Sequence, residues 1–501
     1  MRGERFSTGD EIRSVLSSLN DGKGGPVLHT DNGIKYVYTK EGHQLILGVS
    51  GSGKSRRGTI AQTRALIEAG ESVICIDPKG ELYKNTACYA RESHKMRIVN
   101  FRNPAFSQRW SPLAFPKALY DRGEKGLAQQ MVQEIVHNLT SHGNTSLDRF
   151  WIDSERNLLG GVLNLLIGYA PKENCNLAEI LSILAQDWAS LKKDDQNVSG
   201  GDLLDIVEAL PPESPAKRLL TGYTGLSAKV TRSCVMAEVS NTISKFCSTE
   251  EVVAMTTGDE LDIANMDADE PFIIYIIIPD ESEIFNVLSG LLVSQISHRL
   301  IKLADSKYEG KLPVRTNFIL EELGNIGHSV SDLPFLMSAS RSRNVRMTLV
   351  LQALGQLETI YGKSKAETIL SNADVWICFR TSDWNTLAEL SRKCGEKKVQ
   401  AGDIRFLQPL ISEAQLMAME TGQALILISG RTKYIERFAD YTELYNCGDL
   451  EEVPIPPAKE DDANRLISLA EMKNTILESK KNRALGSVYK KMLFKVGKGE
   501  E

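Results

Sequence analysis

At 501 residues the chain is long enough for two or three domains, or for one large domain carrying an insertion. With 42% hydrophobic and 25% charged residues it has an ordinary globular composition, and a net charge of −6 excludes a uniformly basic nucleic-acid coat while leaving room for a local basic channel. Eight scattered cysteines with no C-x-x-C pair argue against zinc or a disulfide framework and read as reduced, mostly buried thiols. Met1-Arg2-Gly3-Glu4-Arg5 lacks the apolar segment of a signal peptide, and the longest strongly apolar run, Phe272 to Pro279, is far short of the roughly 20 residues that span a bilayer. The expectation is a soluble, cytoplasmic chain.

Residues 1–40 are polar and glycine-rich, a lead-in with a short helix expected over Gly9 to Ser18 and strands near Val27 and Tyr36 to Tyr38. From 41 to 168 the pattern is the first part of a nucleotide-binding domain. The apolar run Gln44 to Leu47 reads as a buried strand. It leads into Gly48-Val49-Ser50-Gly51-Ser52-Gly53-Lys54-Ser55, a complete phosphate-binding P-loop pattern. Arg56 to Ala69 follows with apolar residues at helical spacing and is closed by Gly70. Strands are expected at Val73 to Asp77 and Met96 to Phe101, so strand and helix alternate as in a parallel α/β sheet. From about Lys125 to Phe246 the periodicity is helical, broken by Lys193 to Gly201 and by Pro211-Pro212-Glu213-Ser214-Pro215. This reads as an inserted all-α domain, with borders set at 169 and 242. A second part of the nucleotide-binding domain, 243–445, carries strands at Phe272 to Ile278, Thr316 to Leu320, Arg346 to Leu351 and Val375 to Arg380. A β pair at Ala424 to Ser429 and Tyr434 to Phe438 closes the sheet. Residues 446–501 form a charged tail that opens as an acidic, proline-bearing linker.

The loop predicts the chemistry. Its glycines let backbone N–H groups surround phosphate oxygens at a helix start, where the dipole is positive. Lys54 would reach the β- and γ-phosphates and Ser55 would hold Mg²⁺, with Gly48, Ser50, Gly51, Ser52, Gly53 and Arg56 lining the rest of the site. A second requirement is a carboxylate pair at a neighbouring strand end. Glu321 and Glu322 supply it, Glu321 toward Mg²⁺ and Glu322 toward the attacking water. Gln352, at the next strand end, is placed to sense the γ-phosphate. Asp77 and Lys79, in the turn Asp77-Pro78-Lys79-Gly80-Glu81, are either partners of the phosphates or a helix cap and a surface lysine. Arg341, Arg343 and Arg346 are either a solvated basic helix end or the source of an arginine acting across a subunit boundary.

Asp77 to Leu82, Phe318 to Gly327 and Val350 to Leu357, extended by Ile360-Tyr361-Gly362 and Asn372 to Val375, together resemble the type IV secretion coupling proteins of the TraG/TraD family, relatives of the FtsK/HerA hexameric DNA translocases. The resemblance runs from about 40 to 445. It implies a RecA-like P-loop fold with helices on both faces of the sheet, ATP and Mg²⁺ as cofactors, and a hexameric ring. It also implies partners: DNA, relaxosome proteins and components of a type IV secretion channel. By position, Lys54 and Ser55 match the Walker A pair, Glu321-Glu322 a motif usually written Asp-Glu, Gln352 the strand-end glutamine and Arg341 the arginine acting in trans. Glu321 in place of aspartate bears on metal geometry. Family members also usually carry N-terminal membrane helices, so a place at the cytoplasmic face of the membrane follows if an anchor was removed or is supplied by another chain. The reading is an ATP-driven coupling protein of conjugation. Its alternatives are a soluble FtsK/HerA-type translocase and a nucleotide-stabilised docking receptor for secreted proteins.

Overall fold

The computed structural model describes residues 4–140, 149–193, 203–279, 282–330, 332–401, 404–445, 451–458 and 466–496. Most of the loop expected over Lys193 to Gly201, and the start of the tail at Asn446, lie outside them. The chain divides into two compact units, Met1–Ser107 with Asn265–Pro457 and Gln108–Ala264 with Ala458–Glu501. The helical unit is thus wider than the 169–242 expected, and part of the tail belongs to it. The reason is packing: helices on both sides of the expected borders, such as Lys125–Leu139 and Lys229–Phe246, bury their apolar faces within the same unit.

The first unit is built on nine strands: β1 (His43–Leu47), β2 (Ser72–Asp77), β3 (Lys95–Asn100), β4 (Phe272–Ile277), β5 (Thr316–Leu320), β6 (Val345–Leu351), β7 (Ala373–Phe379), β8 (Gln423–Ile428) and β9 (Thr432–Arg437). They lie in the order β9-β8-β7-β1-β6-β5-β2-β4-β3. The strands from β7 to β3 run parallel, and β8 and β9 are antiparallel additions at one edge. Every residue of β1, β2, β4, β5 and β6 is buried, which explains their predominantly apolar or β-branched sequences. One layer of core joins Ile60, Leu66, Val73, Cys75, Leu82, Tyr275 and Ile319; another joins Ile46, Val350, Ile377, Phe379, Ile426 and Tyr434. Each such aliphatic side chain contributes about 1.5–3 kcal/mol by leaving water. The Tyr275 hydroxyl, on β4 beside the edge strand β3, is satisfied by Thr86 Oγ1 at 2.7 Å. The helix Glu283–Lys307 contains the one segment among the described residues, Ile284–Lys307, that is apolar and long enough to cross a membrane by composition. Leu288, Leu291, Leu292, Val293, Ile296 and Leu300 on it are buried in the unit.

Two smaller elements accompany the sheet. The lead-in forms a three-stranded sheet from Ser17–Ser18, Val27–Asp31 and Ile34–Val37. A hairpin, Glu396–Ala401 with Ile404–Pro409, was passed over in the sequence because its lysines interrupt the apolar alternation.

The second unit contains helices and no strand among the described residues. At its centre is Arg149–Tyr169, with Leu158, Leu159, Val162, Leu163, Leu165, Leu166 and Ile167 buried. A Cβ on Gly161 would stand 2.6 Å from Leu220 Cγ, so glycine lets the helix Pro215–Thr224 approach closely.

Candidate active site

Strand register decides which residues meet. Leu47 pairs with Leu351 and Cys378, while Leu320 pairs with Leu349 and Ile76. Because these strands are parallel, the residues after them emerge at one edge of the sheet. Gly48, Glu321, Glu322, Gln352, Asp77 and Arg380 all gather there. In an open α/β sheet this carboxyl edge is where ligands bind.

The loop is fastened to both neighbours. Gly48 N–H donates to the Leu351 carbonyl at 3.2 Å, and Val49 N–H to the Arg380 carbonyl at 3.1 Å. A Cβ on Gly48 would lie 2.5 Å from Ser52 Oγ and 2.9 Å from Phe379 Cβ, so the turn closes only with glycine. Gly53, at φ 102°, takes a left-handed conformation that enters the following helix. That helix begins earlier than expected, as a wide π-type turn over Lys54–Thr59, and continues as an α-helix over Ile60–Glu68. Such wide turns recur at functional sites.

Inside the loop, polar groups are buried with few partners. Lys54 is 8% exposed and donates to the carbonyls of Gly48 and, at 3.1 Å, Val49. Burial pulls its pKa down, against the attraction of Glu322 and Glu321. Ser52 Oγ is buried without a hydrogen-bond partner. Glu321, 7% exposed, accepts a hydrogen bond from Thr59 Oγ1, and burial pushes its carboxyl up to about 7 against the pull of the Thr59 and Ser55 hydroxyls. Thr59 was missed in the sequence. Its signal is the i+4 spacing from Ser55, which puts the second hydroxyl on the same helix face.

Glu322 holds φ 50° and ψ 41°, a left-handed conformation that costs a non-glycine residue on the order of 1–3 kcal/mol. Gln352 Nε2 donates to its Oε2 at 3.2 Å. Gln352 is itself positioned by Gln356, whose Oε1 accepts the Gln352 N–H at 2.8 Å and the Ala353 N–H at 3.3 Å. Gln356 is a second residue that sequence reasoning passed over.

Other expected residues fall elsewhere. Arg56 leaves the loop and pairs with Asp440 through Nε at 2.8 Å and Nη2 at 2.9 Å, over the Tyr441 ring, because Asp440 caps the helix Tyr441–Leu444 beside it. Asp77 is fully buried and accepts the Tyr83 N–H at 2.8 Å, capping the helix Glu81–Ala90. Burial raises its carboxyl to about 6. Of the two readings of the turn, the helix cap is the one the geometry carries for Asp77. Lys79 is exposed, yet close enough to Lys54 to oppose its charge. Ser50 and Gly51 are exposed at the loop's crown.

The three arginines separate. Arg341 precedes β6 and so lies at the amino edge of the sheet, a full strand length from the loop; it is half exposed and pairs with Asp374 at 3.0 Å. Seven residues of β6 place it about 20 Å from its own Gln352 edge. Arg343 pairs with Asp305 at 2.8 and 3.0 Å. Arg346 is not solvated: it is 1% exposed and donates to Asn317 Oδ1 at 2.8 Å, the Tyr38 carbonyl at 3.1 Å and Glu71 Oε2 at 3.4 Å.

Comparison with known proteins fits this arrangement. The chain is 21% identical over 462 residues to the probable conjugal transfer protein TraG of Sinorhizobium fredii, a match covering 85% of this chain and 67% of that one. It is 25% identical over 161 residues to the conjugal transfer protein TraG of Agrobacterium fabrum, covering 29% of this chain and 23% of that one. Among solved structures, the bacterial conjugative coupling protein TrwBdeltaN70 in complex with sulphate superposes with a TM-score of 0.63 at 17% identity, over 88% of this chain and 94% of that one. The plasmid coupling protein TrwB in complex with ADP and Mg²⁺ superposes with a TM-score of 0.62 at 17% identity, over the same shares. These likenesses show a common α/β fold of the RecA-like P-loop kind. The family model for type IV secretory system conjugative DNA transfer matches residues 18–426, and the chain belongs to that family.

Proposed function

We propose that the chain is an ATP-driven coupling protein that recruits DNA with its bound relaxosome proteins and moves it toward a type IV secretion channel. The observation that carries this is the convergence of Lys54, Ser55, Thr59, Glu321, Glu322 and Gln352 at one sheet edge. The residues fit Mg²⁺ and ATP. Ser52 Oγ is a buried hydroxyl with no partner, Lys54 rests on loop carbonyls, and Glu321 stays near neutrality beside two hydroxyls. A cradle of that kind suits a phosphate chain and a cation. Ser55 and Glu321 would hold Mg²⁺, which when bound spreads the charge that builds on the transferred phosphoryl group. Lys54 would exchange its carbonyl partners for phosphate oxygens. Glu322, oriented by Gln352, would take the proton from the attacking water. Related TrwB has been solved with ADP and Mg²⁺ and with ADPNP, which supports the same cofactors here.

Arg341 stands at the opposite edge from its own loop, which supports a role for it at the site of a neighbouring subunit. We therefore infer a ring, a hexamer by analogy with the family, working in the cytoplasm at the membrane face. The test is ATP turnover with and without single- and double-stranded DNA. Lys54→Ala and Arg341→Ala chains should each be inactive, and their co-assembled mixture should regain activity. No stimulation by DNA would overturn the motor reading. A co-assembled mixture without activity would remove Arg341 from the neighbour's site.

A further inference from the structure

The helical unit holds a short stretch of the chain's own tail in the way a receptor holds a peptide. Gln186 grips the backbone on both sides of Ser468: its Nε2 donates to the Ile467 carbonyl at 3.0 Å, and its Oε1 accepts the Leu469 N–H at 2.9 Å. The Ile467 N–H donates to Glu179 Oε2 at 3.3 Å, and Glu179 is 1% exposed. The segment then turns helical under a capping box, in which Glu471 N–H donates to Ser468 Oγ at 3.1 Å and Ser468 N–H to Glu471 Oε2 at 3.0 Å. The helix Leu469–Val496 presents Leu469, Met472 and Ile476, all buried, while Lys473 Nζ meets Asp205 Oδ2 at 2.7 Å. Backbone clamps, apolar sockets at the first, fourth and eighth helix positions and an acid facing the fifth make a sequence-reading groove.

Two facts separate this contact from ordinary core packing. In the sequence the segment follows the acidic, proline-bearing stretch 446–465, which ties it covalently to the chain it occupies. Charge also points the same way: acidic residues outnumber basic ones over 108–264, whereas the tail beyond 466 is lysine-rich, with Lys473, Lys480 and Lys481. Tethered segments compete at high effective concentration, which keeps a groove closed until a better ligand arrives.

We propose that the groove around Glu179, Gln186 and Asp205 is a docking site for a partner polypeptide, and that the chain's own residues 466–481 occupy it as a built-in competitor. The partner carries a short extended lead-in, a serine or similar cap, and an amphipathic helix with apolar residues at positions one, four and eight and a basic residue at position five. The proposal does not depend on ATP turnover.

The test uses a fluorescent peptide of residues 464–482 and the full-length chain. In a Met472→Asp, Ile476→Asp chain, whose tail is unseated, the peptide should bind saturably. It should bind the wild-type chain about 100-fold more weakly, because the tethered copy competes. Asp205→Lys in the unseated chain should weaken binding about two- to fivefold, and a peptide carrying Lys473→Glu should recover it. A second arm needs no unseating: a protease site placed within 459–465 lets the linker be cut in the folded chain, after which excess peptide should displace the cut tail on gel filtration. A tail that a neighbouring copy supplies would appear instead as a dimer that the peptide does not dissociate, and this overturns the proposal. So does an unseated chain that binds no peptide, or a cut tail that never exchanges.

Discussion

The two ends of the central strands treat buried charge in opposite ways. At the amino edge, Arg346, Arg315 and Asn317 all donate to Glu71, and the two arginines between them also donate to Asn317 Oδ1 and the carbonyls of Gly24, Tyr38 and Thr39, at distances of 2.8 to 3.5 Å. That network ties the lead-in to the sheet, and it is close to complete. At the carboxyl edge, a few strand residues away, Lys54 rests on carbonyls, Ser52 Oγ and Asp77 Oδ1 lack partners, and Glu321 is driven toward neutrality. The same sheet therefore holds one set of charges that serves structure and another kept incomplete. An incomplete set costs stability, and such costs collect where a ligand is to complete it.

The sharpest way to test this contrast is to remove one cation from each edge. Lys54→Ala should abolish ATP turnover, a loss of ~10³-fold or more, while moving the melting temperature little, since Lys54 stabilises phosphates rather than the fold. Glu322→Gln should likewise stop turnover yet leave ATP bound, read by nucleotide retention on filtration. Arg346→Met should do the reverse. Removing one of the two arginines from buried Glu71, and the donor to Asn317 Oδ1, should cost about 3 kcal/mol in denaturant unfolding. Nucleotide affinity per folded molecule should hardly change. If Arg346→Met left stability intact, the amino edge would not be the structural one.

A smaller effect tests the incompleteness itself. In the free chain Glu321 keeps its proton up to about pH 7, whereas an unfolded glutamate loses it near 4.5. The folded state thus binds more protons between these values, so this group's contribution is full below 4.5 and is lost as pH rises toward about 7. Glu321→Gln has no such loss. Its stability advantage over the wild-type chain in denaturant unfolding should grow from about pH 5 to 7 and level off above, by on the order of 2–3 kcal/mol in total. An advantage that shrank with pH would mean that the Glu321 charge is already compensated. The smallest change should be Arg56→Ala. Its partner Asp440 holds it outside the loop and its side chain is 56% exposed, so less than about 1 kcal/mol of stability and little nucleotide affinity should be lost.

What could be read from the sequence was local. The P-loop, its flanking strand and helix, and Glu321-Glu322 at the end of an apolar run each occupy a few consecutive residues, and their spacing alone places them on strand ends and helix starts. The apolar strands β4 and β5 were legible because burial on both faces demands unbroken apolar runs. Gln356 and Thr59 were harder: Gln356 acts by holding Gln352 four residues back, and Thr59 by reaching Glu321, 262 residues away.

Tertiary structure decided the rest, because charges choose partners by space and not by sequence distance. Arg56 follows the loop directly yet belongs to Asp440, 384 residues away, and Gln186 grips Ile467 across 281 residues. Arg341, Arg343 and Arg346 form one basic cluster in sequence, but a turn into β6 sends one to Asp374, one to Asp305 and one into the interior. The composition of the chain allowed all these pairings. Parallel strand order selected among them: it brings every carboxyl end to one edge and every amino end to the other, and so decides which buried charges are satisfied and which await a ligand.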